Sequence, residues 1–229
     1  MRRFPRVRAL IGLLAIGVGL SACAAGQPTP PLADGDGPVV AFYGDSYTLG
    51  TGASDPSLRW SSIVSAERGW REFNPSVNGL GFVNNRTSAG DGDLPDQIIE
   101  QNPDIVFVTM GLNDNFSFDR AGDRIHSAIR DDLTRLRTAL PDARFVVVEP
   151  FWYTAERPES VETIIGWVRE EAEAIDADWI AGASRWLDGH YAGDAESWMA
   201  ADGLHPDDTG YAEMAERMDA ALRALDPAL

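Results

Sequence analysis

The chain has 229 residues, of which 44% are hydrophobic, and its formal net charge at pH 7 is −17. A chain of this length can bury one sizeable core, which favours a single domain over two. The strong negative charge argues against nucleic acid as a partner and against electrostatic docking on anionic lipid, because both are themselves negatively charged. We expect a monomer.

The N-terminal 22 residues predict an export signal rather than part of the fold. A positively charged start is followed by an apolar stretch, residues 9–20, that is too short to span a membrane as a mature helix. Residues 20–23, Leu-Ser-Ala-Cys, resemble the bacterial lipobox, in which cleavage before the cysteine is coupled to lipidation of its sulfur. The resemblance implies removal of residues 1–22 and a lipid on Cys23. An ordinary signal cleavage nearby is the alternative.

The sequence after Cys23 divides into a tether and a folded domain. Residues 24–38 are rich in proline, glycine and small side chains, which predicts a flexible tether. Residues 39–229 form the predicted domain. Together with the lipid, this order predicts an exported protein that is anchored on the extracytoplasmic face of the cell membrane.

From residue 39 onward, short apolar runs alternate with amphipathic segments. Apolar runs of this kind indicate strands buried on both faces, as in a parallel sheet covered by helices. The sequence therefore predicts an α/β fold, a three-layer α/β/α sandwich with about five parallel strands. The predicted strands are residues 39–43, 81–84, 105–110, 145–148 and 179–181, and the predicted helices are residues 58–73 in part, 94–101, 119–140, 161–175 and 209–225.

Polar residues cluster directly after the predicted strands or before the last predicted helix. In parallel sheets, ligands bind beyond the carboxyl ends of the strands, so these segments are expected to meet at one edge of the sheet. The segments are residues 44–46, 85–90, 111–114 and 202–206.

Three residues in these segments have the chemistry of a serine hydrolase. The hydroxyl of Ser46 is a weak nucleophile that needs a base within hydrogen-bond reach, and that base must be held in the right tautomer. His205 can be the base. Asp202, three residues earlier on a tight loop, can accept from the Nδ1–H of His205 and so leave Nε2 for the serine.

The tetrahedral intermediate of such a reaction needs hydrogen-bond donors for its oxyanion. The backbone N–H groups of Ser46 and Gly90 and the side-chain amide of Asn113 are suited to this role. Gly92 is an alternative to Gly90, because the run Ser-Ala-Gly-Asp-Gly offers two glycines.

Together these segments resemble the GDSL/SGNH hydrolase family, whose four blocks carry a serine in G-D-S, a glycine, an asparagine in G-x-N-D and a histidine in D-x-x-H. The resemblance extends from residue 39 to about residue 225. The second glycine of the G-x-S-x-G elbow is absent, which disfavours an α/β-hydrolase proper. Residue by residue, the family's functional groups fall on Ser46, Gly90, Asn113, Asp202 and His205.

The resemblance implies an α/β/α sandwich, no metal or organic cofactor, and hydrolysis of carboxylic esters or thioesters. Tyr47 stands where the family often has leucine, a departure that we expect to leave the chemistry unchanged. We expect a cell-surface serine esterase that removes short acyl groups, such as acetate on glycans or small esters, through an acyl-enzyme. The alternatives are a lipid carboxylesterase or lysophospholipase, a thioesterase, acyl transfer to an alcohol, and a binding lipoprotein without activity.

Several other polar and aromatic residues are expected to have structural or pocket-lining roles rather than catalytic ones. Asp45 and Asp114 are expected to shape their loops, and no acidic cluster has the spacing of a calcium-binding loop, so no metal site is predicted. The two remaining histidines are expected to be surface or locally bonded. The aromatic residues that could line the pocket are Phe151, Trp152, Tyr153 and Trp198.

Overall fold

The computed structural model describes residues 32–89 and 93–229. The predicted signal, Cys23 and the first part of the predicted tether therefore lie outside the described residues. Within them, five parallel strands form one sheet in the order β2-β1-β3-β4-β5, which confirms the predicted α/β fold. The strands are β1, Val39–Gly44; β2, Arg71–Phe73; β3, Ile105–Thr109; β4, Arg144–Val148; and β5, Asp178–Ile180.

Several helices of the described chain begin or end at clear local signals. Asp207 caps the last helix by accepting from the Gly210 N–H at 2.9 Å, and Gly69 ends the second helix with a φ of 66°. No helix in this part of the chain is both long enough and apolar enough to cross a membrane. The α-helices are α1, Ser46–Leu49; α2, Trp60–Arg68; α3, Leu94–Gln101; α4, Phe118–Ala139; α5, Glu159–Ala174; and α6, Asp208–Arg223.

The two faces of the sheet carry separate apolar clusters. Successive residues of a strand point to opposite faces. In β1, Val40 and Phe42 therefore join a cluster with α2 and α6, whereas Ala41 and Tyr43 join a cluster with α3, α4 and α5. This arrangement gives three layers, and it leaves the loops beyond the strand ends as the place where polar side chains can gather.

The second strand does not lie where the sequence predicted it. β2 is Arg71–Phe73 and pairs with the start of β1, so the prediction of a strand at residues 81–84 is wrong. An edge strand is partly exposed, and the sequence Arg-Glu-Phe accordingly contains no apolar run that would mark it. Residues 81–84 form a turn instead. The Asp114 carboxylate holds this turn by accepting from the backbone N–H groups of Phe82, Val83 and Asn84.

This correction changes which residues reach the functional edge of the sheet. The helix expected within residues 58–73 is limited to α2, and the chain turns at Gly69 into β2. The loop beyond β2 therefore starts at residue 74, which brings residues 74–79 to the carboxyl ends of the strands. The other predicted helices differ from the observed ones by at most two residues at either end.

Candidate active site

Ser46 is the first residue of α1 and directly follows the turn at the end of β1. Asp45 caps this short helix, since its Oδ1 accepts from the Tyr47 N–H at 3.0 Å. A Cβ on Gly44 would lie 2.5 Å from Thr48 Cβ and 2.7 Å from Thr109 Oγ1, so a side chain does not fit there. The tight packing beneath the turn thus fixes Ser46 at the edge of the sheet.

Asp202 and His205 lie on a tight loop before α6. Asp202 Oδ2 is 2.7 Å from His205 Nδ1, and Asp202 Oδ1 accepts from the backbone N–H groups of Leu204 and His205 at 2.9 and 3.0 Å. Partial burial raises the pKa of Asp202, but the hydrogen bonds from His205 and Leu204 outweigh it and lower the pKa to about 2. Asp202 is therefore ionised at neutral pH and orients the histidine ring with its Nε2 facing away from the carboxylate.

Ser46 and His205 line one cavity of about 240 Å³ at the carboxyl edge of the sheet. Asn113 also lines it, from the turn that follows β3. The structure thus brings together the serine, the base and the amide that the sequence predicted as functional. The remaining lining residues are Tyr47, Thr51, Asn78, Gly79, Leu112, Phe116 and Leu204.

The Asn113 amide is oriented by two acceptors. Its Nδ2 donates to Asp45 Oδ2 at 3.1 Å and to the Leu80 carbonyl at 3.0 Å. An amide nitrogen carries two hydrogens, so both are already engaged. An oxyanion in this cavity would have to share or replace one of these acceptors.

Gly79 is a cavity residue that sequence analysis missed. Its φ of 70° favours glycine, and its carbonyl accepts from the Asn84 and Asn85 side chains at 2.9 and 3.1 Å. Among the described residues, no acceptor binds the Gly79 N–H. Gly79 lies six residues beyond the end of β2. A correct prediction of β2 would therefore have placed it in a loop at the carboxyl edge of the sheet. Gly90 and Gly92 lie outside the described residues, so their role stays a prediction.

Asp45 and Asp114 shape loops, as predicted, and both are buried next to the site. Burial is the main cause that raises the pKa of Asp45 to about 7, and the nearby Asp114 adds to it. Hydrogen bonds from the Tyr47 N–H and Asn113 oppose this rise. Burial also raises the pKa of Asp114. The pKa values of these two buried carboxyl groups are therefore raised, whereas the pKa of Asp202, on an exposed loop, is lowered.

The predicted aromatic residues do not line the cavity of Ser46. Phe151 and Trp152 are buried, and Phe151 stacks on Tyr47 with ring centroids 5.8 Å apart. Trp198 stacks face to face on His190, with centroids 3.4 Å apart, which makes His190 a locally bonded residue as expected. Phe116, which sequence analysis did not single out, is an exposed aromatic side chain that lines the cavity, with 52% of its surface accessible.

One group of possible metal ligands occurs in the described part of the chain, away from the residues that line the Ser46 cavity. It consists of His126, Glu170 and Glu171, on α4 and α5. Arg130 already contacts Glu171 Oε1 through Nε at 3.0 Å and through a terminal nitrogen at 2.8 Å. Because the guanidinium occupies this oxygen, the group fits an ion pair between helices better than a metal site.

The raised pKa of Asp45 predicts a pH-dependent stability. The unfolded chain releases this proton near the ordinary value of 3.8, whereas the folded chain keeps it until about pH 7. Folded protein therefore binds more protons across this window, so the free energy of unfolding should fall as the pH rises from 4 to 7. In Asp45→Asn this fall should be smaller by a few kcal/mol at most.

Urea unfolding of wild type and Asp45→Asn at pH 4.5 and pH 8 measures this difference. All other titrating groups are common to both proteins, and the repulsion between Asp45 and Asp114 is lost together with the Asp45 carboxyl, so the difference measures Asp45 including this coupling. Equal pH dependence in the two proteins would contradict the assignment of the raised pKa to Asp45.

Comparisons with known proteins agree with this geometry. A model of the GDSL-like Lipase/Acylhydrolase family matches residues 42–213. GDSL lipase Rv0518 of Mycobacterium tuberculosis is 26% identical over 191 residues, which cover 78% of this chain and 79% of that protein.

Solved structures share the fold at low sequence identity. The psychrotrophic esterase EstA from Pseudoalteromonas sp. has a TM-score of 0.63 at 14% identity, covering 81% of this chain and 96% of that chain. A variant of Axe2, an acetyl-xylooligosaccharide esterase from Geobacillus Stearmophilus, has a TM-score of 0.59 at 18% identity, covering 82% of this chain and 94% of that chain. The family match spans most of the chain and includes Ser46, Asn113, Asp202 and His205, so this chain belongs to the GDSL-like lipase/acylhydrolase family of ester hydrolases.

Proposed function

We propose that the protein is a serine esterase that removes short acyl groups through an acyl-enzyme at Ser46. The observation that carries this proposal is that Ser46 and His205 line the same small cavity, with Asp202 bonded to the far side of the histidine ring. This is the order of groups that nucleophilic catalysis by a serine requires.

In the proposed reaction, His205 Nε2 takes the proton of Ser46 Oγ as the oxygen attacks the ester carbonyl. No hydrogen bond joins these two side chains among the described contacts, and we expect it to form when substrate enters, as in other resting hydrolases. His205 then gives the proton to the leaving alcohol. In the second half of the reaction, His205 activates a water that releases the acid and restores Ser46.

The oxyanion would be held by donors that surround the cavity. The N–H of Ser46 starts α1 and has no acceptor among the described residues, and the same is true of the Gly79 N–H on the facing loop. We therefore propose Gly79 as a backbone donor alongside Ser46, with Asn113 as the side-chain donor. Gly90 stays the candidate from the sequence for the same role.

Short acyl groups fit the cavity better than long chains. Its volume of about 240 Å³ is below the range of about 300–1,000 Å³ that is usual for drug-sized ligands. Leu112 and Leu204 give it apolar walls. The Axe2 likeness, to an esterase of acetylated sugars, supports acetate on glycans, whereas the name of the mycobacterial relative supports a lipid ester. Lysophospholipase, thioesterase and acyl-transfer activities are the alternatives within this chemistry, and a binding lipoprotein without activity is the alternative outside it.

We further propose that the protein works as a monomer at the cell surface. The surface location is supported by the sequence alone, through the signal-like residues 1–22, the lipobox with Cys23, and the tether to residue 38. The monomeric state is carried over as the expectation from the sequence. Radiolabelled palmitate incorporated into wild type and absent from Cys23→Ala would support the anchor.

Ser46→Ala tests the proposed reaction. The variant should lose turnover of p-nitrophenyl acetate and covalent labelling by a fluorophosphonate, because both need the serine oxygen. Ser76→Ala is a suitable control, since Ser76 is also buried beside the site but does not line the cavity. Full labelling of Ser46→Ala would disprove the assignment of the nucleophile.

Asn113→Ala tests the oxyanion hole. Loss of one oxyanion donor should lower kcat by about 10²- to 10³-fold with a smaller change in KM. Asn115→Ala is the matched control, because Asn115 lies two residues away and bonds Ser160 at 2.6 Å instead of facing the cavity. An unchanged kcat in Asn113→Ala would remove this amide from the oxyanion hole.

Phe116→Ala tests the size of the acyl group. Wild type should prefer acetate and butyrate esters to octanoate, and loss of the ring should lower kcat/KM for butyrate more than for acetate. Each methylene that the ring covers contributes about 0.8 kcal/mol, or about fourfold in kcat/KM. Leu58→Ala is the control, because Leu58 is the other exposed large apolar side chain in the described residues and does not line the cavity. An unchanged butyrate-to-acetate ratio in Phe116→Ala would contradict this role.

A further inference from the structure

Tyr47, the residue after the candidate nucleophile, makes a direct contact with the loop of the candidate base. Its side chain is buried, with 1% of its surface exposed, and its hydroxyl donates to the Leu204 carbonyl at 2.6 Å. The two residues are 157 positions apart in sequence. This hydrogen bond therefore joins the segment that carries Ser46 to the segment that carries His205.

The carbonyl that Tyr47 binds belongs to the peptide group that precedes His205. The N–H of that same peptide group donates to Asp202 Oδ1 at 3.0 Å. Both polar ends of one rigid plane are thus bound, one by Tyr47 and the other by Asp202. The carbonyl of His205 also accepts from the Ala200 N–H at 2.8 Å. The backbone on either side of the base is consequently fixed.

Tyr47 itself has little freedom to move. Its ring stacks on Phe151, and its carbonyl accepts from the Trp60 indole N–H at 3.0 Å. The Tyr47 and His205 rings lie 5.9 Å apart at a tilt of 50°. Burial raises the pKa of the Tyr47 hydroxyl well above its ordinary value, so the hydroxyl stays protonated and remains a donor at neutral pH.

We infer that Tyr47 is a positioning residue that sets the place of the His205 ring relative to Ser46. The link between nucleophile and base is short: one peptide bond from Ser46 to Tyr47, one side chain, one hydrogen bond, and one peptide bond to His205. A leucine at position 47, the residue that the family often has, could not donate this bond. The inference departs from the expectation that tyrosine at this position leaves the chemistry unchanged. The inference rests on the proposed function, because it takes His205 as the base.

Tyr47→Phe removes the hydroxyl and keeps the ring, so packing on Phe151 is retained. A displacement of about 1 Å between reacting groups can cost about 10²-fold in rate. We expect kcat on p-nitrophenyl acetate to fall by about 10- to 100-fold, with KM within about threefold of wild type. Loss of one buried hydrogen bond should lower Tm by only about 2–4 °C.

Tyr211→Phe is the matched control. Tyr211 is equally buried, and its hydroxyl also donates to a backbone carbonyl, but to that of Thr51 at 2.7 Å rather than to a carbonyl of the His205 loop. It should lower Tm by a similar amount and leave kcat within about threefold of wild type. A second measurement, amide hydrogen exchange of the segment 200–206, should be faster in Tyr47→Phe and unchanged in Tyr211→Phe.

The outcomes separate this inference from the proposed function. Wild-type kcat in Tyr47→Phe, an equal loss of kcat in Tyr211→Phe, or unchanged exchange of residues 200–206 in Tyr47→Phe would overturn the positioning role while leaving the esterase intact. Persistent labelling of Ser46→Ala would instead overturn the proposed function. A selective loss of kcat together with faster exchange in Tyr47→Phe alone would establish the role.

Discussion

Burial of both faces of the parallel sheet is the constraint on which the rest of the structure depends. With α2 and α6 on one face and α3, α4 and α5 on the other, the three central strands β1, β3 and β4 have no exposed face on which polar residues could lie. Parallel strands also end at the same edge, so the loops beyond β1, β2 and β3 meet there. This edge is where Ser46, Gly79 and Asn113 come together, because the helices cover both faces of the sheet.

The carboxyl groups at this edge show how surroundings divide one residue type into different roles. Asp202 receives three hydrogen bonds on an exposed loop and has a pKa of about 2, so it can serve as a permanent negative partner for His205. Asp45 lies one residue from the nucleophile, yet burial raises its pKa to about 7. Its bonds to the Tyr47 N–H and Asn113 Nδ2 suit it to hold the turn and the amide in place rather than to act on substrate.

The limits of prediction from sequence are clearest at β2 and the loop that follows it. Strands such as β3 are easily recognised in the sequence, because burial on both faces requires a run of apolar or small residues, five of them in β3. β2 lies at the edge of the sheet, where fewer side chains have to be apolar because fewer are buried. Its three residues therefore form no apolar run. The misplaced strand hid Gly79 and shifted attention to glycines further along the chain. Phe116 was missed for a related reason, since nothing local in the sequence distinguishes a cavity rim from any other exposed turn.

The sequence by itself determined the layered α/β fold, the order of the elements, and the residues of the candidate site: Ser46, Asn113, Asp202 and His205. It could do so because hydrophobic periodicity and short motifs are local properties. Only the tertiary structure decided that Gly79 lines the same cavity as Ser46, how small that cavity is, and that Tyr47 reaches across to the peptide before His205. These are distances between segments far apart in the chain, and they are fixed by the packing of helices on the sheet rather than by any local pattern of residues.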